Sequence, residues 1–380
     1  MSEPTWRVPL SDISVDDELL DAARETLRSG WWSMGPRVAA FERAFSAYVG
    51  TRHAFAVSSG TSALHLALAA VGCGPGDEVI VPSLTFVAAA NTVRHAGAEP
   101  VLCDVRGPDD LNLDVASLEA ALGPATKAIV VLHYGGHPCD VDAVTTLARE
   151  RGIAVIEDAA HAPGAAVRDR ACGAIGDVGC FSFFSNKNLA VGEGGMVVTD
   201  DDGLADRIRL LRSHGMTTLT WDRHRGHAHS YDVVASGFNY RFDEVRAALG
   251  LVQLARLDEG NAARARHAAR YRERLHAVAG LTVPFGNALG DVRSAHHLMV
   301  IVLPEGVERD ALRTALQSDG IQTSVHYPPI HRFSAYAGSA RTVPLPVTEE
   351  LAPRLLTLPL YPGLTEELVD LVADALLARL

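Results

Sequence analysis

Three short stretches carry residues whose types and spacing could do chemistry. In IEDAAH an apolar run from Ile153 to Ile156 leads straight into Glu157 and Asp158. In open parallel sheets ligands bind beyond the carboxyl ends of the strands, although an aspartate there can simply cap the next helix. In FSFFSNKNLAVGEGG an aromatic strand delivers Ser182 and then Lys187 into a turn, ahead of Gly192, Gly194 and Gly195. Lysines are usually solvated. One held between an aromatic strand and glycines, which let backbone approach a bound group, can have its pKa shifted downward and act as a nucleophilic amine. In SSGTSALHLAL, Gly60, Thr61 and Ser62 stand between a strand and a helix, where free amides and small hydroxyls bind phosphate or serve as an ordinary cap. An amine that attacks an aldehyde, a carboxylate and a phosphate cradle together suit pyridoxal 5′-phosphate (PLP).

Positioning these groups takes a sheet. From about Thr51 to Asp200, short β-branched runs (AFAVS, DEVIVPS, EPVLCDV, KAIVVLHY, IAVIED, GCFSFF) alternate with helical patterns such as TSALHLALAAV and FVAAANTVRHAG. That rhythm predicts an α/β fold with a mainly parallel sheet covered by helices on both faces. GPGD and the glycine of HAGAEP mark where units end. No internal repeat or low-complexity segment interrupts it. A second block begins near Arg241, with Ala- and Arg-rich helical stretches (FDEVRAALGLVQLARL, then ARARHAARYRERL), a strand in HHLMVIVLP, a helix near Arg309–Ser318, a strand in IQTSVHY and a closing helix from about Glu366. We therefore expect a large domain over residues 1–245, including an N-terminal helix around Asp16–Ser29. A linker helix and a small α+β domain follow over residues 246–380. The sequence does not say which domain the N-terminal helix packs on.

Composition narrows the function classes. With 380 residues, 48% hydrophobic and 21% charged, the chain can bury a large core. A formal charge of −12 would repel a nucleic-acid backbone. The five cysteines (Cys73, Cys103, Cys139, Cys172, Cys180) never stand in CxxC spacing, so neither a disulfide framework nor a zinc site is indicated. His224, His227 and His229 lie close together but lack a carboxylate or cysteine at a recognisable ligand spacing, and no metal is expected. No stretch approaches the roughly 18 apolar residues of a membrane span. The start MSEPTWRVPL lacks a signal-peptide pattern, so a cytoplasmic protein is expected.

The motifs SGTSAL, PSLTFVAAAN, IEDAAHAPGA, SFFSNKNLAVGEGG, GFNYRFDEVRAALGL and VHYPPIH, in this order over nearly the whole chain, resemble the DegT/DnrJ/EryC1/StrS family of PLP-dependent sugar aminotransferases. The resemblance implies the aspartate-aminotransferase-like fold type I, with PLP alternating with its pyridoxamine form. It implies that Lys187 holds the cofactor as a Schiff base and later moves protons, and that Asp158 partners the pyridine nitrogen. By the same resemblance Phe86 stacks on the ring, His161 sits beside the phenolic oxygen, and Gly60, Thr61, Ser62 and Ser182 bind the phosphate. Asn239 in GFNYR would reach the phosphate from a partner subunit, making a homodimer with shared sites. Trp32 in WWSMGP, and His326 and Tyr327 in HYPPIH, would line the sugar side. Each has a plainer reading: a core phenylalanine, a helix-surface histidine, or turn residues around Asn239 and the Pro-Pro pair.

The implied reaction carries an amino group from L-glutamate to a nucleotide-linked keto sugar. Within the family it resembles, an EGG run after the lysine segment goes with C4 amination, so Glu193-Gly194-Gly195 implies C4 of a dTDP- or UDP-4-keto-6-deoxy sugar, with C3 amination or a keto-cyclitol acceptor as alternatives. Sugar dehydratases of the family carry histidine at the lysine position, which Lys187 argues against. A PLP- or nucleotide-sugar-binding regulator would need an added DNA-binding module and basic surface, and neither is visible in the sequence.

Overall fold

The structure is a computed structural model describing residues 6–218, 221, 230–286 and 291–380; His224, His227 and His229 fall outside the described residues. Eight strands make the main sheet: β1 (His53–Val57), β2 (Glu78–Pro82), β3 (Glu99–Cys103), β4 (Thr126–Leu132), β5 (Ala154–Asp158), β6 (Val178–Ser182), β7 (Gly195–Thr199) and β8 (Arg341–Thr342). They lie in the order β1-β7-β6-β5-β4-β2-β3-β8. Strand β7 runs antiparallel to both neighbours and the other pairs are parallel, as the alternation of strand and helix patterns predicts.

Successive strand residues point to opposite faces, and both faces are covered. Val79, Val81, Leu102 and Val130 pack on one side with the helices Gly60–Ala70, Ala88–His95 and Asp202–Leu211. Ile80, Val101, Ile129 and Val131 pack on the other with the helices Val115–Ala121 and Val141–Arg149. An aromatic cluster of Phe41, Phe45, Phe181, Phe183 and Phe242 fills the space beside β6 and β7.

The two helical stretches of the second block form one helix of 32 residues, Glu244–Leu275, started by Asp243, whose side chain accepts the Arg246 N–H. At ~1.5 Å per residue it spans about 48 Å, from the aromatic cluster, where Leu257 packs, to a second core holding Ala268, Tyr271 and Leu275. That second core joins the antiparallel pair Met299–Val302 and Leu355–Leu358 to the helices Arg309–Ser318 and Glu366–Leu377.

The segment IQTSVHY is not the continuous strand its pattern predicts. It makes only isolated bridges, Ile321 to Val8 and Ser324 to Thr357, before two prolines that lack N–H donors. The N-terminal helix, Asp17–Arg28, packs on the long helix, where Arg256 pairs with Asp16 and Glu18. The chain also passes between the two cores more than once: Val8 is buried in the second core, whereas Ile330 and Tyr336 lie in the first and β8 edges the main sheet. No described helix is long and apolar enough to cross a membrane.

Candidate active site

Strand direction collects the candidate residues at one edge of the sheet. Strands β1, β2, β4, β5 and β6 all end there, and the antiparallel β7 begins there, so the loop from Ser182 to Gly195 must turn at that edge. The loop is pinned by Phe183 N–H to Gly194 O (2.8 Å), Val191 N–H to Phe183 O (3.0 Å) and Lys187 N–H to Phe184 O (2.9 Å). It brings Lys187 into a cavity of about 360 Å³ whose lining includes Gly60, Thr61, Phe86, Asp158, His161, Ser182, His326 and Tyr327.

Ser59 caps the helix Gly60–Ala70 by accepting the Ser62 N–H at 3.0 Å. The Gly60 and Thr61 amides belong to the first turn, where no helix carbonyl receives them. A Cβ on Gly60 would stand 2.8 Å from Ser182 Cβ, so only glycine fits this approach of helix and strand. The Ser62 hydroxyl is held by Ser58 at 2.8 Å and Ser59 at 2.9 Å and does not line the cavity.

The Lys187 amine is brought down to about 8 by burial, against the pull of Asp158, whose charge favours the ammonium. Burial pushes the Asp158 carboxyl above its ordinary value, while the Ala160 N–H (3.1 Å to Oδ1), Lys187 and His133 hold it down. His161 is buried and kept well below its ordinary value, first by that burial and then by the Lys187, His326 and His133 charges. The Gly135 N–H donates to its Nδ1 at 3.3 Å, which places the ring hydrogen on Nε2, 2.8 Å from the Tyr327 hydroxyl. Phe86 is 53% exposed, its ring 5.9 Å from that of Tyr327. His326 Nδ1 lies 2.9 Å from Thr357 Oγ1. An amine that is partly neutral near pH 7, beside a buried acid, can attack a carbonyl carbon and pass protons.

Two other expected residues lie apart from the cavity of their own chain. Asn239 is exposed, its backbone bridging Ser213. Trp32 is 58% exposed and donates its Nε1 hydrogen to Leu27 O at 3.1 Å. Conversely, the sequence reading passed over Ser59, Asn186 and Phe184, which line the cavity, and His297, 3.5 Å from Lys187 Nζ. Their positions beside Gly60 and Lys187 could have found the first three. His297 lies 110 residues from Lys187 and offers no local signal. Among the described residues no cluster of three or more His, Cys, Asp or Glu could hold a metal.

Comparison with known proteins identifies the family. The profile of the DegT/DnrJ/EryC1/StrS aminotransferase family matches residues 14–377. The spore coat polysaccharide biosynthesis protein SpsC of Bacillus subtilis is 44% identical over 375 residues, 97% of this chain and 96% of its own. DesV of S. venezuelae, solved in complex with a ketimine intermediate, superposes with a TM-score of 0.89 at 39% identity over 98% of each chain. DesI, solved in the presence of its TDP-sugar product, gives 0.87 at 34% identity over 98% of this chain and 92% of its own. The chain thus belongs to the DegT/DnrJ/EryC1/StrS aminotransferases, PLP-dependent sugar aminotransferases of fold type I.

Proposed function

We propose that this enzyme moves an amino group from L-glutamate to C4 of a dTDP- or UDP-linked 4-keto-6-deoxy sugar, as a cytoplasmic homodimer with shared active sites. The observation that carries the reading is the Lys187 amine, lowered to about 8 by burial, in one cavity with Asp158 and the first-turn amides at Gly60. The residues present fit PLP. The close approach at Gly60 forms a cradle that a Cβ would fill, Asn186 Oδ1 is buried without a partner, and the donor set offers an amine, an acid and hydroxyls with amides. When bound, PLP supplies the electron sink that loosens the hydrogen on the amine-bearing carbon.

Lys187 Nζ would hold the cofactor at its aldehyde carbon and, when free of it, would take and return the proton that moves during transfer. Asp158 would hold a proton on the ring nitrogen. Thr61, Ser182 and the Gly60 and Thr61 amides would hold the phosphate, with Ser62 shaping that turn through Ser58 and Ser59. Phe86 would pack on the cofactor's ring, and His161, fixed by Gly135 and Tyr327, would stand on the side of its phenolic oxygen. Asn239 serves the partner subunit's phosphate site, which its exposure and its distance from its own cavity allow. His326 and Tyr327, which line the cavity, would contact the sugar, and Trp32, apart from its own chain's cavity, would do so only at the partner subunit's site.

Support for a nucleotide-linked acceptor comes from DesI, solved with a TDP-sugar. Support for C4 comes from the run Glu193-Gly194-Gly195, whose Glu193 lines the cavity.

The test is the visible absorbance of the PLP-loaded protein. A coloured band that glutamate bleaches in the wild type and that Lys187→Ala lacks supports the reading, and a wild type that stays colourless with added PLP refutes it. A panel of 4-keto and 3-keto nucleotide sugars then decides the position aminated, and sedimentation at micromolar concentration decides the dimer.

A further inference from the structure

A chain of hydrogen bonds runs from the interior to the Lys187 amine and fixes where one hydrogen sits. Asn261, on the long helix, donates its Nδ2 to the Pro163 carbonyl at 2.9 Å, leaving its Oδ1 to accept from Asn188 Nδ2 at 2.7 Å. The same Asn188 Nδ2 donates to the Ala295 carbonyl at 2.7 Å. Carbonyl oxygens only accept, so both Asn188 amide hydrogens are committed and its Oδ1 is the atom facing His297 Nδ1 at 2.9 Å. An acceptor at that point requires the ring hydrogen on Nδ1. His297 is buried. That burial, then the Lys187, His161, Arg264 and His326 charges, keeps it well below its ordinary value. The ring is therefore neutral, and Nε2 carries only a lone pair, 3.5 Å from Lys187 Nζ.

We propose that His297 is a positioning residue for Lys187: its Nε2 accepts an N–H of the lysine amine and so sets the direction in which the nitrogen's own lone pair points. The proposal rests on Lys187 being the cofactor lysine. An amine at the end of a flexible four-carbon stem has many orientations, and a reacting group misplaced by about 1 Å loses roughly 100-fold in rate. The groups facing Lys187 from the surrounding elements are Asp158, His161, His297 and His326. Both His161 nitrogens are taken, by the Gly135 N–H and the Tyr327 hydroxyl. Among the described residues, the His297 ring is the side chain whose polar atom comes within hydrogen-bonding reach of Nζ.

The chain contains only one other lysine, Lys127, which is exposed and serves as an internal reference. Apoenzyme is exposed to PLP across a range of pH and reduced with borohydride, and labelling at each lysine is followed by mass spectrometry. In the wild type Lys187 labels ahead of Lys127. His297→Phe keeps an aromatic ring and removes the acceptor. Its labelling rate on the high-pH plateau is expected to fall about 10- to 100-fold. Its inflection is expected to move to lower pH, because an acceptor bonded to the ammonium favours the charged form and that support is gone. His297→Gln offers an amide donor to Asn188 and an oxygen to Lys187, and is expected to restore the rate.

Equal labelling of the Phe variant and the wild type overturns the proposal, as does a Gln variant no faster than the Phe variant. Should the Phe variant fail to fold, Asn188→Leu carries the same test. It frees His297 to place its hydrogen on Nε2, so labelling must fall, and unchanged labelling overturns the proposal. Failure of the underlying reading looks different, for then wild-type Lys187 labels no faster than Lys127.

Discussion

Replacing Glu157 by glutamine keeps the side chain's shape and removes its charge, in a place where the charge is fully committed. Glu157 is completely buried. Its Oε1 accepts the Ile175 and Gly176 N–H groups at 2.7 and 2.6 Å, and its Oε2 accepts the Gly173 N–H at 2.8 Å and meets His133 Nε2 at 2.8 Å. Glutamine offers one acceptor oxygen for these four contacts and turns an NH2 group toward the other two. Charge-assisted hydrogen bonds contribute about 1.5–3 kcal/mol each, and removing one partner from a buried charged pair costs about 3–5 kcal/mol. We expect Glu157→Gln to lose about 3–5 kcal/mol at neutral pH, read from urea unfolding of the apo protein.

The sign of the pH dependence follows from the carboxyl. Burial alone would raise it, but the His133 contact and the Gly176 and Gly173 N–H groups outweigh burial and hold it below its ordinary value. A depressed carboxyl stabilises the fold above the unfolded value of about 4.3, and that contribution is lost as pH falls through the folded value. The gap between wild type and variant should therefore close in acid. A loss under about 1 kcal/mol at neutral pH, or a gap that stays constant below about pH 4, would refute the reasoning.

Two further outcomes follow from the site. Gly60→Ala places a Cβ 2.8 Å from Ser182 Cβ and 3.1 Å from its Oγ, crowding the turn proposed to hold the phosphate. PLP affinity, measured by fluorescence titration, should fall at least about tenfold, or ~1.4 kcal/mol, although alanine is the better helix former by up to about 1 kcal/mol; unchanged affinity contradicts the assignment. In Asp158→Asn the charge that supports the Lys187 ammonium is lost, so the pH inflection of Lys187 labelling should move below about 8, and an upward move contradicts the electrostatic account.

Local residue patterns suffice for the parts of the molecule that depend on short-range chemistry. The alternation of strand and helix patterns yields the parallel sheet, and the closing helices at Arg309–Ser318 and Glu366–Leu377 fall where their patterns place them. Asp158, Ser182 and Lys187 stand at or just past strand ends that all meet one edge of the sheet, so local motifs sufficed to collect them. Adjacency in IEDAAH also means that Glu157 and Asp158 must point to opposite faces, but only the packed structure decides which one meets the cavity and which one ties down the Gly173–Gly176 turn.

Other features depended on contacts between remote segments, whose geometry no local pattern carries. The expected strand at IQTSVHY gives way to isolated bridges, to Val8 at one end and Thr357 at the other. The N-terminal helix settles on the long helix through Arg256. The His297 lone pair reaches Lys187 because Asn188 and Asn261, 73 residues apart, fix the ring's hydrogen. Hydrogen-bond direction over such separations is set by the packing of whole elements against one another, and it exists only once the chain has folded.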